Sequence, residues 1–103
     1  MTDSTWDAVA AARAWLDASN GTSPLELTHR ILKLTEEAGE AAAAWIGANG
    51  QNPRKGVTHT YEDVADELAD VAFTALVAIA SLGFSPEDTL ARCAQKVAKR
   101  LPQ

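Results

Sequence analysis

The sequence has little of what marks the more specialised protein classes. A single cysteine, Cys93, permits no intrachain disulfide, and no second Cys or Cys/His cluster exists to hold zinc. Positive charge is also scarce: nine Lys and Arg against 14 Asp and Glu leave a formal charge of −5. That balance opposes nonspecific nucleic-acid binding, because a phosphate backbone is held mainly by clustered Lys and Arg. The opening residues, Met1 to Thr5, lack the basic start and apolar run of a signal peptide, and the apolar stretch from Val71 to Leu82 is too short to span a bilayer. Low-complexity segments and repeats are absent too. The expectation is a cytoplasmic chain in a reducing compartment, with no nucleic-acid and no membrane partner.

What is present is enough for one core. At 103 residues, 47% of them apolar, the chain supports a single domain over residues 1–103 and not two. Helix starts are legible. Ser23-Pro24-Leu25-Glu26 and Ser85-Pro86-Glu87-Asp88 each place a capping hydroxyl, then Pro at the first helical position, then an acid at the third. Thr60-Tyr61-Glu62-Asp63 and Ser4-Thr5-Trp6-Asp7 are weaker versions of the same signal. Ends are marked by Gly21, by Gly47 and Gly50, and by Gly83, residues able to leave a helix with positive φ. The fold class expected is all-α, a four-helix bundle-like arrangement with helices over residues 5–19, 24–47, 61–82 and 86–100. Between the second and third helices runs a connection longer than most in bundles, and loops of that length are often functional or mobile.

Leu27, Ile31, Leu34, Ala38, Ala41 and Trp45 form an apolar stripe at helical spacing, as do Val64, Leu68, Val71, Ala75, Ile79 and Leu82. Both stripes are expected in the core. Phe73, Leu76 and Val77 make the later half of the third helix apolar on other faces as well, which hints at cover from another subunit. Cys93 is expected as a small buried residue.

The acids are unevenly spread: Glu36, Glu37, Glu40, Glu62, Asp63, Asp66, Glu67 and Asp70 crowd the second helix and the start of the third. At about 100° per residue, Glu37 and Glu40 sit roughly 60° and 120° from Leu34, and Glu67 and Asp70 bear the same relation to Val64. Antiparallel packing of the two stripes therefore brings an i, i+3 acid pair from each helix toward one point. Two unit charges about 5 Å apart repel by roughly 3 kcal/mol at an effective dielectric near 20, so a converged cluster implies a cation. Carboxylates without His or Cys favour Mg2+, with Mn2+ as a substitute, over zinc. Di-iron bundles use Glu-x-x-His pairs, and His29 and His59 are not placed that way. The same patterning also describes a solvated acidic face, and spacing alone serves both readings.

The run Lys33-Leu34-Thr35-Glu36-Glu37-Ala38-Gly39-Glu40, followed by Asp66-Glu67-Leu68-Ala69-Asp70-Val71, resembles the EExxE and ExxD motifs of the MazG-like family. That family belongs to the all-α nucleoside triphosphate pyrophosphohydrolase superfamily, and the resemblance covers residues 5 to 100. It implies cleavage of a nucleoside triphosphate between its α- and β-phosphates, giving a monophosphate and pyrophosphate. Mg2+ would be held by Glu37, Glu40, Glu67 and Asp70. It also implies a homodimer or a dimer of dimers.

Such chemistry asks for metal ions, positioning and charge neutralisation more than covalent participation by protein. Glu36, beside the first ligand, is the candidate general base or water-orienting group. Positive charge for the pyrophosphate is sought in Arg54 and Lys55 of the long loop and in Lys96 and Arg100 of the last helix, which resemble the family's downstream basic positions. Lys33 shares a shoulder with Glu37 and Glu40. Trp15 is the candidate for stacking on a nucleobase. Two other readings stay open: a same-superfamily hydrolase of another substrate such as phosphoribosyl-ATP, and a helical metal-binding interaction module without catalysis.

Overall fold

The computed structural model describes residues 4–102. Four helices account for about four fifths of it: α1 (Ser4–Asn20), α2 (Pro24–Ala48), α3 (Tyr61–Ser81) and α4 (Pro86–Arg100). The all-α expectation holds, and each boundary lies within one residue of the sequence reading. The reason is capping. Ser23 Oγ accepts from the Glu26 N–H at 3.2 Å, and Ser85 Oγ from the Asp88 N–H at 3.1 Å. Thr60 forms a full reciprocal box: its Oγ1 accepts from Asp63 N–H at 3.1 Å, while Asp63 Oδ2 accepts from Thr60 N–H at 2.9 Å. Each such cap contributes about 1 kcal/mol.

Gly21, Gly50 and Gly83 have positive φ, as expected of residues that end helices. Gly47 does not; it lies inside α2. Its lack of a side chain serves a close approach instead, because a Cβ there would collide with His59 Nδ1 and Thr58 Oγ1. The long loop is thereby folded back onto the end of α2. Thr58 N–H donates to Gly47 O at 3.0 Å and Gln51 N–H to Ile46 O at 3.3 Å. His59, next to the Thr60 cap, is a loop histidine held against Thr58.

α2 and α3 form the principal packed pair. They run antiparallel: Trp45 meets Tyr61 at the loop end, ring centroids 5.5 Å apart, and Arg30 reaches Ser81 at the other. The pairing is rotated from the apolar stripes. Ile31, Trp45, Leu68 and Leu82 are about half exposed, and the buried residues of α2 are Arg30, Ala41 and Ala44. Small alanines let the backbones approach, and Arg30 and, in part, Glu37 and Glu67 turn inward while the bulkier Ile31, Trp45 and Leu68 are about half exposed.

α1 lies on the later half of α3. Val9, Val77 and Ala80 are buried together, flanked by Ala12, Leu16, Phe73 and Leu76. The all-round apolar half of α3 is thus covered by α1 of the same chain. α4 behaves differently. It turns off α3 by 117°, and none of its residues is buried. Cys93, expected inside, is exposed, because α4 packs on little beyond its own start. No single described helix is long and apolar enough to cross a membrane.

Candidate metal centre

The rotated α2–α3 interface places acids where a hydrophobic seam would otherwise run. Glu37 and Glu67 are half-buried on the facing sides of α2 and α3, with Asp70 one turn beyond at the exposed edge. One carboxylate oxygen from each of Glu37, Glu67 and Asp70 lies within 4.8 Å of the others. The Glu40 carboxylate stands outside that triad but acts on it electrostatically. Burial first, then the Glu40 charge, pushes the Glu37 carboxyl above its ordinary range, with Asp70 adding to the push and Lys33 opposing it.

Glu67 supplies the test of whether a cation fits. Its Oε2 is buried and has no hydrogen-bond partner. A buried carboxylate oxygen left without a donor carries a desolvation penalty that normally must be offset. It stands among two other carboxylates and no protein donor reaches it, an arrangement that fits a cation. An all-oxygen donor set suits a hard divalent ion such as Mg2+.

Lys33 links this cluster to its surroundings. Its Nζ lies 2.5 Å from Glu36 Oε1 and 3.7 Å from Glu37 Oε1. The hydrogen bond to Glu36, then the charge of that group, holds the Lys33 ammonium above its ordinary range. Glu36 itself is exposed and outside the triad. Arg54 and Lys55 are exposed in the loop and Lys96 and Arg100 on α4; among the described residues these four make no ion pair. None of them belongs to the acid triad or lines the cleft described next.

Beside the acids opens a cleft of about 430 Å3 between α1, α2 and α3, lined by Trp15, Asn20, His29, Lys33, Phe73 and Thr74 among others. Lys33 stands one helical turn from Glu37, and Thr74 one turn from Asp70. The cleft therefore begins where the acid cluster ends. Trp15 offers an exposed ring at its rim.

In the wall of the cleft lies a residue the hydropathy pattern does not reveal. Arg30 is buried, donating to Asp17 Oδ1 at 2.7 Å, Glu26 Oε2 at 2.7 Å, Ser81 Oγ at 3.1 Å and Gly21 O at 2.9 Å. The hydrogen bonds from Arg30 are the leading cause holding the Asp17 and Glu26 carboxyls below their ordinary range. One guanidinium so ties α1, the α1–α2 turn, α2 and α3 together in the wall of the cleft. The one sequence signal was the i, i+4 spacing of Glu26 and Arg30.

The family described as phosphoribosyl-ATP pyrophosphohydrolase matches residues 17–97. The chain belongs to this family. Through it the chain is a member of the MazG-like all-α nucleoside triphosphate pyrophosphohydrolase superfamily, and thus of a family of hydrolases acting on phosphoanhydrides. The matched region contains both acid pairs, Arg30 and nearly all of α4, and begins just after Trp15. Curated proteins and solved structures gave no match.

Proposed function

We propose that this chain is a Mg2+-dependent pyrophosphohydrolase that cleaves the α–β phosphoanhydride of a nucleotide triphosphate, releasing pyrophosphate and leaving the monophosphate. The observation that carries this reading is the convergence of Glu37, Glu67 and Asp70 around a buried Glu67 oxygen that has no donor. Family membership favours phosphoribosyl-ATP as the substrate. Simple nucleoside triphosphates, in a nucleotide-pool housekeeping role, are the second reading, favoured by the resemblance of the acid runs to the MazG-like motifs.

Glu37, Glu67 and Asp70 would hold Mg2+, with Glu40, which already bears on Glu37, as the fourth ligand. The ion, when bound, neutralises charge on the phosphates and acidifies water. The protein's own groups do the rest. Lys33 stands between cleft and cluster, placed to meet a phosphate that joins a base in one to an anhydride at the other. Asn20 offers an amide inside the cleft, and Trp15 a ring for stacking, which contributes about 1–3 kcal/mol per base. Glu36, joined to Glu37 through Lys33, is the group proposed to orient water.

The test is a substrate screen that measures phosphate and pyrophosphate separately, with phosphoribosyl-ATP and the common nucleoside triphosphates, with and without Mg2+. The expected result is pyrophosphate release that requires Mg2+, fastest with phosphoribosyl-ATP. Turnover confined to simple triphosphates selects the second reading. Mg2+ binding without any turnover overturns the enzyme and leaves a metal-binding interaction module.

A further inference from the structure

Part of the cleft wall is built by polar residues that the acid cluster does not use. Glu26 and Asn20 both line the cleft, Asn20 as the last residue of α1 and Glu26 in the first turn of α2. An acid at this third helical position ordinarily reaches back to the cap N–H, as Asp63 does to Thr60. Glu26 makes no such bond among the described residues. Its carboxylate is drawn to Arg30 instead: Oε2 accepts from Arg30 Nε at 2.7 Å and from Asn20 Nδ2 at 3.4 Å, and the side chain is only 13% exposed.

These bonds decide which atoms are left over. Glu26 Oε1 has no hydrogen-bond partner among the described residues, and unlike Glu67 Oε2 it is not shut away from solvent. A carboxylate only accepts, so the Asn20 amide must turn its nitrogen toward Glu26, which leaves the carbonyl oxygen Oδ1 without a partner. Arg30 has little to offer a ligand as a donor, because Glu26, Asp17, Ser81 and Gly21 already take four of the five N–H groups of its guanidinium. His29 can serve as donor or acceptor. What the Glu26–Asn20 pair presents is therefore two acceptor oxygens, in a cleft that Trp15, Leu16 and Phe73 otherwise line with apolar surface.

We propose that Glu26 and Asn20 set the base specificity of the cleft: Glu26 Oε1 and Asn20 Oδ1 accept from the exocyclic amine of a nucleobase and exclude a base with a carbonyl in its place. An amino base such as adenine or cytosine supplies one N–H to each oxygen. A keto base such as hypoxanthine or uracil sets a third acceptor against these two, and acceptors desolvated without a donor are what makes such discrimination large. Arg30 is the positioning residue. Its hydrogen bond is the leading cause holding the Glu26 carboxyl below its ordinary range, so the group stays an acceptor. Glu26 precedes Glu37 by eleven residues of α2, about 16 Å of helix, a span that suits a nucleotide with its base at Glu26 and its phosphates at Lys33 and the acids. That the ligand is a nucleotide rests on the proposed function; the choice of amine over carbonyl comes from the two oxygens.

Nucleoside monophosphates test this without turnover, since they contain no anhydride to hydrolyse. In isothermal titration of the full chain with Mg2+, AMP should bind at least about tenfold tighter than IMP, and CMP tighter than UMP by a similar factor. Glu26→Gln keeps the size of the side chain, and because Arg30 Nε needs an oxygen, the new amide turns its N–H groups toward the ligand. This variant should bind IMP at least as tightly as AMP. Asn20→Ala leaves every Arg30 bond in place and should lower the AMP-to-IMP ratio with the helical circular dichroism kept, so the test stands even if Glu26→Gln does not fold. A purely structural pair would weaken both nucleotides together and leave their ratio unchanged. An unchanged ratio in the folded variants, or a parent that binds AMP and IMP equally or binds neither at millimolar concentration, overturns the proposal. Pyrophosphate release in the substrate screen decides the reaction separately: an inactive parent that prefers AMP keeps the amine site and loses the pyrophosphohydrolase reading, and an active parent without that preference does the reverse.

Discussion

Replacing Glu67 with Gln should change stability in opposite directions with and without Mg2+. Without metal, Glu67 adds one negative charge to a cluster whose carboxylate oxygens lie within 4.8 Å of one another. Two unit charges at that distance repel by about 3.5 kcal/mol at an effective dielectric near 20, and by under about 1 kcal/mol in water. The exposed edge at Asp70 pulls the effective value toward the lower end. Gln also places an amide donor where Oε2 now has no partner. Together these should raise the metal-free melting temperature by several degrees, since about 1 kcal/mol moves a domain of this size by roughly 4–8 °C. With Mg2+ the order should reverse. The parent gains about 2.7 kcal/mol at a hundred times its dissociation constant, and the variant, lacking a ligand, gains far less. Thermal melts at fixed protein concentration, in chelator and across an Mg2+ series, read both effects. A metal-free variant less stable than the parent, or a parent that Mg2+ does not stabilise, would refute the cation-site reasoning.

Two further outcomes follow from the electrostatics. Because the folded state raises the Glu37 carboxyl above its ordinary value, the folded protein holds that proton more tightly than the unfolded chain. Its contribution is present below the ordinary glutamate range and is lost as pH rises through the folded value. Metal-free stability should therefore fall over that window, and Glu37→Gln should flatten the fall in chemical denaturation at stepped pH; an unchanged slope contradicts it. Asp17 has the opposite sign: lowered by Arg30, its contribution is present above the ordinary aspartate value and lost as pH drops through the folded one. Arg30→Met keeps the apolar stem but leaves Glu26 without its cation and Asp17 with Arg13 alone. It should lower the urea midpoint at neutral pH, because the carboxylates lose the donor that the folded state gives them, and a variant as stable as the parent would show that the network stabilises nothing.

Helix boundaries were the most legible part of this sequence, because Ser-Pro starts and the Thr60–Asp63 box act locally, through hydrogen bonds only three residues long. Convergence of Glu37, Glu67 and Asp70 was legible for a related reason: equal offsets from two apolar stripes survive a modest rotation of both helices. The rotation itself was not. Periodicity shows that a helix has an apolar side, but Arg30 breaks the hydropathy pattern at the very position that turns inward, so Ile31 looked like core and is half exposed. Cys93 differs from its expectation on similar grounds. Its position on an apolar stripe is plain in the sequence, but whether anything in the same chain covers that stripe depends on the 117° turn after α3, which no local pattern encodes. Nor could spacing separate Glu40 from the triad, since an i, i+3 pair fixes the face and not where each carboxylate comes to rest.

The most direct test of the central claim is pyrophosphate release from phosphoribosyl-ATP in Mg2+ by the parent and by Asp70→Asn, with circular dichroism confirming that both are folded. If Glu37, Glu67 and Asp70 hold the ion that hydrolysis needs, the parent releases pyrophosphate and loses this activity in chelator, while the folded variant falls by at least about a hundredfold, the scale of losing one strong electrostatic contact in a transition state. A folded Asp70→Asn variant with parental activity would contradict the account.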